Sequence, residues 1–432
     1  MGVADTIDGL SRFPARGAGT NAERRAAVWL AGQLRSARRE ATVETFWSRP
    51  NWAVANAWHA ALAAAGSLLT VASPKAGGGV IIAALIAIVV DALIGVSPGR
   101  RLTREHASQN VVSPAPPNAP PVRLILTANY DAGRMGLVHQ PFVRRPTARL
   151  RQLLGPLALG WQASLGSACL WVLAIAALRD GGAKGSTVAV LQLIPTAGLV
   201  LGAALLLDLG SSSFGPAAGD NATGSALAVA LTRALDVTPP RRLGVEVVLQ
   251  GASDGSMLGL RRHLRARRHE LDAGRVIVLG LAACGGGRPA WWTSDGPLLP
   301  ARLHPRLAQL VATVIRSGPP TSDAMGTDLT RPGADGGHRA RAGAAHRGRG
   351  TSPAYPARLR GLPALTIGAL DTTGLPPRSH LPTDTPAQVD TTTADRLLEL
   401  ALTLIDAIDA AVPAAAPMPA PSTEPGRSAA SA

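Results

Sequence analysis

The sequence predicts an α/β protein whose sheet domain is interrupted by two apolar helical hairpins. Two observations carry this. Short β-rich runs alternate with helical stretches, the pattern of a sheet covered by helices, and four long apolar runs occur in two closely spaced pairs.

In chain order, 22–37 reads as an amphipathic helix with Ala27, Leu30, Ala31 and Leu34 on one side, and 42–46 as a strand. The run 51–73 contains no Asp, Glu, Lys or Arg, and 79–96 contains only Asp91. The runs 155–178 and 186–207 carry no charge at all. Stretches of this length match the ~20 residues a helix needs to cross a bilayer. Hairpins are therefore expected over 51–97 and 155–209, with Asp91 near a helix end and snorkelling to the surface. Between and after them, 122–128, 245–249 and 276–281 read as strands, 225–235 as an apolar helix and 392–411 as a long closing helix. The pieces 1–50, 98–154 and 210–412 then make one domain. Within it, the Gly/Arg/Ala-rich stretch 326–350 is expected to be a flexible loop, and 413–432 a disordered Pro/Ala/Ser tail.

Charge orients the hairpins. Arg100, Arg101 and Arg104 follow the first, and Arg144, Arg145, Arg149 and Arg151 precede the second, while the two tight turns hold only Lys75, Arg179 and Lys184. Positive charge concentrates on the cytoplasmic side of a membrane. The expectation is a multi-pass protein of the plasma (inner) membrane with its main domain in the cytoplasm. Residues 1–50 mix acids and bases throughout, so no signal peptide is expected. The chain has 432 residues and a formal charge of +15, but only 3% are aromatic, which leaves little for stacking on bases. The basic excess reads as a solvated surface beside lipid, and no specific nucleic acid is expected. Cys169 lies inside an apolar run, so it is not expected to pair with Cys284.

Four places could carry chemistry. Asn129-Tyr130-Asp131 follows a strand, where α/β sheets place their ligands. Asp220 sits in the glycine-bounded turn Gly219-Asp220-Asn221-Ala222-Thr223-Gly224, which also reads as a helix entry capped by Asp220 or Asn221. Ser253-Asp254 follows the strand 245–249, and His380 lies in a loop before the last helix.

Their order, with Ala22-Glu23-Arg24-Arg25, Ser108-Gln109-Asn110-Val111-Val112, Gly361-Leu362-Pro363-Ala364 and His380-Leu381-Pro382-Thr383-Asp384-Thr385, resembles metallopeptidase family 28. These are zinc aminopeptidases related to glutamate carboxypeptidase and glutaminyl cyclase. The resemblance implies a zinc-aminopeptidase-like three-layer α/β/α domain with a mixed sheet. The family's site has a His, a bridging Asp, a Glu-Glu pair whose first member is the general base, a further Asp and a final His. Carried over, these positions hold Asn129, Asp220, Ser253, Asp254, Ala282 and His380. One zinc's private ligands, at Asn129 and Ala282, are lost, and so is the base, at Ser253. Asp220, Asp254 and His380 remain as a set for at most one zinc. Asp131 is the candidate to support those ligands from behind. His139 follows close after Asn129 but carries no family position.

The resemblance therefore implies a membrane-embedded, catalytically impaired relative in a binding or scaffold role, a pseudoenzyme whose partners are membrane lipid and a peptide-class ligand. Two alternatives stand beside it: a working single-zinc hydrolase or acyltransferase, and a basic binder of nucleic acid or anionic lipid acting through 326–350. Substrate and oligomeric state are not readable from the sequence.

Overall fold

Alternate residues of the central strands face opposite helix layers in the computed structural model, which describes residues 2–317 and 343–413. In chain order the elements are α1 (Val3–Ser11), α2 (Asn21–Ser36), β1 (Thr42–Ser48), α3 (Trp52–Ala72), α4 (Pro74–Ile94), α5 (Pro98–Arg101), β2 (His106–Ser113) and β3 (Val122–Asn129). Next come α6 (Pro141–Leu154), α7 (Trp161–Asp180), α8 (Ser186–Ser211), α9 (Thr223–Val237), β4 (Leu243–Gln250), α10 (Leu258–Ala266) and β5 (Val276–Ala282). The described chain closes with β6 (Arg288–Asp295), β7 (Ala301–Arg302), α11 (Pro305–Ser317), β8 (Ala344–Arg347), α12 (Tyr355–Arg358), β9 (Ala364–Leu370) and α13 (Thr391–Ala411).

The sheet runs β1-β2-β4-β3-β5-β9-β6-β7, with β8 paired to β6. Its centre, β4-β3-β5-β9, is parallel, and β1 and β2 flank it antiparallel on one side. A strand's side chains alternate between faces, and here the alternation is clean. Leu124, Leu126, Val245, Val247, Leu279 and Leu281 pack under the layer of α2, α9, α11 and α13. Ile125, Val248 and Val278 face α10 and α12. The predicted three-layer α/β/α architecture with a mixed sheet is what forms. Of the stretch expected to be a loop, residues 344–347 instead make β8 on β6, and 326–342 lie outside the described residues, as does 414–432 of the tail.

The hairpins form as expected from their composition. Helices α3, α4, α7 and α8 are each long and apolar enough to cross a membrane. They close a ring, α3 against α4 and α8, and α7 against α4 and α8, around Ala60, Ala64, Ile81, Ala84, Cys169, Val172 and Leu199. A polar stripe runs inside it: Gln192 Nε2 donates to the Ser67 carbonyl (2.6 Å) and the Thr70 hydroxyl (3.0 Å), and takes Arg179 Nε on its oxygen (2.8 Å). Both cysteines are buried and free.

One expectation fails here. Asp91 does not snorkel; its side chain is 2% exposed and 2.5 Å from Arg100 Nε. The reason is the turn after α4. Ser97 caps α5, accepting the Arg100 N–H at 3.3 Å, and the single turn swings Arg100 back under the bundle. Asn56 (3.0 Å) and Ser97 (2.9 Å) also donate to the Asp91 carboxylate, while Arg100 reaches the Arg49 carbonyl (2.8 Å) and Ser256 Oγ.

Removing one partner of a buried, hydrogen-bonded ion pair typically costs ~3–5 kcal/mol. Asp91→Ala and Arg100→Ala are each expected to lower the unfolding midpoint of detergent-solubilised protein by a corresponding amount. The double variant is expected to lose clearly less than the sum of the two. Additive losses would mean that the two side chains act independently.

Candidate functional site

Asn129, Asp131, Ser253, Asp254 and Ala282 lie within a few positions of a carboxyl end of β3, β4 or β5, and Asp220 lies in the turn 218–222. His380 comes from the loop after β9, the fourth parallel strand. Sheets of this kind place their ligands at those ends.

The turn starts from its backbone. Asp384 accepts the N–H groups of Gly219 (2.7 Å) and Asp220 (3.1 Å). A side chain at Gly219 would put its Cβ 2.6 Å from the Asp384 carboxylate, so glycine is required there. Asp220 leaves the turn in a non-helical conformation (φ −126°, ψ 88°), and its carboxylate accepts the Ser379 hydroxyl. Asn221, fully buried, does the capping: its Oδ1 takes the N–H of Gly224 (3.0 Å) and of Ala283 (2.7 Å).

Asn129, where the family pattern has a metal-binding His, is part of that same lattice. Its Oδ1 accepts Asn221 Nδ2 at 2.9 Å, and Asn221 Nδ2 also donates to the Leu281 carbonyl at 2.9 Å. Ala282 ends β5 and offers no side-chain donor; the two residues after it serve the turn through their backbone, Cys284 N–H reaching Thr223 Oγ1 at 2.9 Å.

Ser253, at the position of the base, is 1% exposed. Its hydroxyl and its N–H (2.9 Å) both donate to the Asp131 carboxylate, which also faces the Asp254 N–H at 3.4 Å. Asp131 thus braces the Ser253-Asp254 loop from behind. Asp254 accepts the Arg134 N–H at 3.3 Å, and His380 Nδ1 lies 3.0 Å from the Arg134 carbonyl. A carbonyl only accepts, so Nδ1 carries a proton.

Three participants have no role assigned from the sequence. Glu23 of α2 is buried, accepting Ser108 Oγ (2.6 Å) and the N–H groups of Gly19 (2.6 Å) and Ala252 (3.0 Å). An acid four residues before Ala27, on the apolar side of α2, was the available signal. Arg16, also fully buried, ties the Tyr130 carbonyl (2.7 Å) to those of Pro216 (2.8 Å) and Ala217 (2.5 Å); nothing in its local sequence marks it. His139 stacks on His380, ring centres 4.1 Å apart and planes 8° from parallel.

Burial governs the charges. It pushes Glu23 up to about 8, with the neighbouring Asp131 adding to the rise, and it pushes Asp131 up to about 6 against the pull of the Ser253 hydrogen bonds. Burial likewise raises Asp384 to about 6. His139 is held well below the ordinary imidazole range, first by burial and then by His380 and Arg144.

The donor set can be tested against a metal. Asp220 is engaged by Ser379 and Asp254 by the Arg134 backbone. Among the described residues no three His, Cys, Asp or Glu side chains are placed to hold one ion. The arrangement does not fit a zinc as it stands.

Helices on both faces of a mixed sheet, with an acidic turn, a Ser-Asp loop and a His loop gathered at the parallel strand ends, make a fold of the zinc-aminopeptidase-like kind. Residues 207–405 match the family model described as Peptidase family M28. Similar solved structures include a glutaminyl cyclase from Bacteroides thetaiotaomicron (13% identity, TM-score 0.50, 94% of this chain and 96% of that one). They also include a leucine aminopeptidase precursor from the same organism (12%, 0.50, 94% and 95%) and a zinc aminopeptidase from Bacillus subtilis (13%, 0.50, 95% and 94%). At such identities they show the shared fold. No curated protein matches the chain.

Glu23 and Asp131 both hold protons more tightly folded than unfolded. The stability they contribute is fully present below about pH 4 and lost as pH rises through about 6 and then about 8. The thermal midpoint is therefore expected to fall between pH 5 and pH 8, other groups aside. Glu23→Gln is expected to flatten that slope whatever its effect on the absolute midpoint, and an unchanged slope would assign the titration elsewhere.

Proposed function

We propose that this chain is a multi-pass membrane protein whose M28 domain is catalytically impaired and serves as a binding or scaffold module. The observation that carries this reading is Ser253. A serine hydroxyl does not accept a proton from water near neutral pH, and this one is buried and already donates to Asp131. General-base help contributes typically about 10²–10⁴-fold. The structural use of Asn129 and the engaged carboxylates of Asp220 and Asp254 support the same reading. The four apolar helices and the arginines flanking them support membrane insertion with the main domain on the cytoplasmic side. A peptide is the ligand class that the family suggests.

The rival reading, a single-zinc hydrolase or acyltransferase on Asp220, Asp254 and His380, has one feature in its favour. The proton on His380 Nδ1 faces a backbone carbonyl, the arrangement that typically fixes a metal-binding imidazole. The nucleic-acid reading rests on 326–350, of which 326–342 fall outside the described residues.

Metal content and turnover separate the first two. Purified in detergent and equilibrated with zinc, the protein is expected to retain far less than one ion per chain by mass spectrometry and to leave aminopeptidase substrates intact. One zinc per chain, lost in His380→Ala together with measurable turnover, would establish the rival.

A further inference from the structure

Helix α6 presents the wrong side of itself to solvent. Phe142 is 69% exposed, Leu150 55%, Leu153 85% and Leu154 43%. Spaced at 142, 150, 153 and 154, they share one helical face. The face turned to the domain is polar: Arg144 reaches the Pro376 carbonyl and lies 3.6 Å from Asp371, and Gln152 donates to the Thr372 carbonyl at 3.1 Å. A helix on a water-exposed surface has the opposite arrangement. Arg145 and Arg149 flank the apolar face and are exposed.

What covers that face follows from where it leads. The exposed apolar surface continues through Leu157 and Leu159 into α7, whose Leu170 and Trp171 also face outward. The junction is level with Trp52 and Trp161, which pack ring against ring 4.8 Å apart at the domain end of the bundle. Tryptophan favours that level of a bilayer. An apolar face edged with arginines, continuous with a spanning helix, matches an amphipathic segment lying in the headgroup–acyl boundary of an anionic membrane.

We infer that α6 is such an interfacial helix, with Phe142, Leu150 and Leu153 in the acyl region and Arg145 and Arg149 at the level of anionic headgroups. The inference rests on the reading of α3, α4, α7 and α8 as membrane spans. It also makes lipid a structural neighbour of the candidate site, because α6 holds the 371–376 loop that precedes His380 and follows His139 directly.

The test uses the full chain in nanodiscs of phosphatidylcholine and phosphatidylglycerol, with nitroxide labels on Leu153→Cys, on Leu193→Cys of α8 and on Val237→Cys of the sheet domain. All three positions are exposed, and the native cysteines are buried. Oxygen and a water-soluble nickel chelate are compared as relaxing agents. The expected result is an oxygen-to-nickel ratio at 153 several-fold above that at 237 and close to that at 193, falling when phosphatidylglycerol is omitted or when Arg145→Gln and Arg149→Gln are combined. A water-like ratio at 153 with a lipid-like one at 193 overturns the inference and leaves the spans standing. Shielding from both agents at 153 also overturns it, in favour of a protein partner or a second copy. A water-like ratio at 193 removes the spans and the inference together. A ratio at 153 indifferent to phosphatidylglycerol and to the arginines overturns the anionic preference.

Discussion

The buried pair of Asp91 and Arg100 is the constraint that joins two halves of very different chemistry. A sheet domain that twice releases its chain into an apolar bundle needs a seam that holds both in one register. Withdrawing two charges from water is costly, and their attraction repays it only when the remaining donors and acceptors are met. Here Asn56 and Ser97 complete the carboxylate, while Arg49 and Ser256 take up the guanidinium. The seam is reinforced by Arg261 of α10, which bonds the last carbonyls of α4, Ala92 (2.9 Å) and Leu93. Gly255, in the left-handed region at φ +66°, adds close packing, since a Cβ there would fall 2.3 Å from the Trp52 indole.

Ser256 and Gly255 belong to the loop that also carries Ser253 and Asp254. The geometry of the candidate site is therefore set from two sides, by Asp131 beneath and by the bundle through Arg100 and Trp52. The lattice of Asn129, Asn221, Ala283 and Cys284 has the same character: donors and acceptors satisfy one another inside the fold. That self-sufficiency is what the proposal of an impaired site rests on.

Much of the architecture was legible because it rests on period. Leu124, Ile125 and Leu126 fall on alternate faces as a strand pattern requires, and the uncharged runs became the four long helices with ends shifted by a few residues. What stayed illegible lacks a local pattern. β6 opens Arg-Pro, β7 has two residues, and β8 lies in a Gly/Arg-rich stretch, so their pairing is decided by β9 and by each other. The candidate site divides in the same way. Asp131, Asp220, Ser253 and Asp254 could be found because each follows a strand or opens a helix. Arg16 could not, since its three carbonyl partners come from residues more than a hundred positions away. His139 carries no family position, and its place just before α6 is what delivers it to His380.

The same logic explains why the site sits where it does. The carboxyl ends of β3 and β4 face the bundle: Arg134, after β3, bonds the Ser212 carbonyl beyond α8, and Ser256, after β4, meets Arg100. Leu137 N–H is taken by Asp208 of α8 at 2.7 Å, and the chain runs from there through His139 into α6. The loops after β3 and β4 are thus anchored to the bundle or to α5 beneath it, and the 371–376 loop to α6. Arg134 joins these parts: its backbone contacts both Asp254 and His380, and its side chain reaches the Ser212 carbonyl just beyond α8.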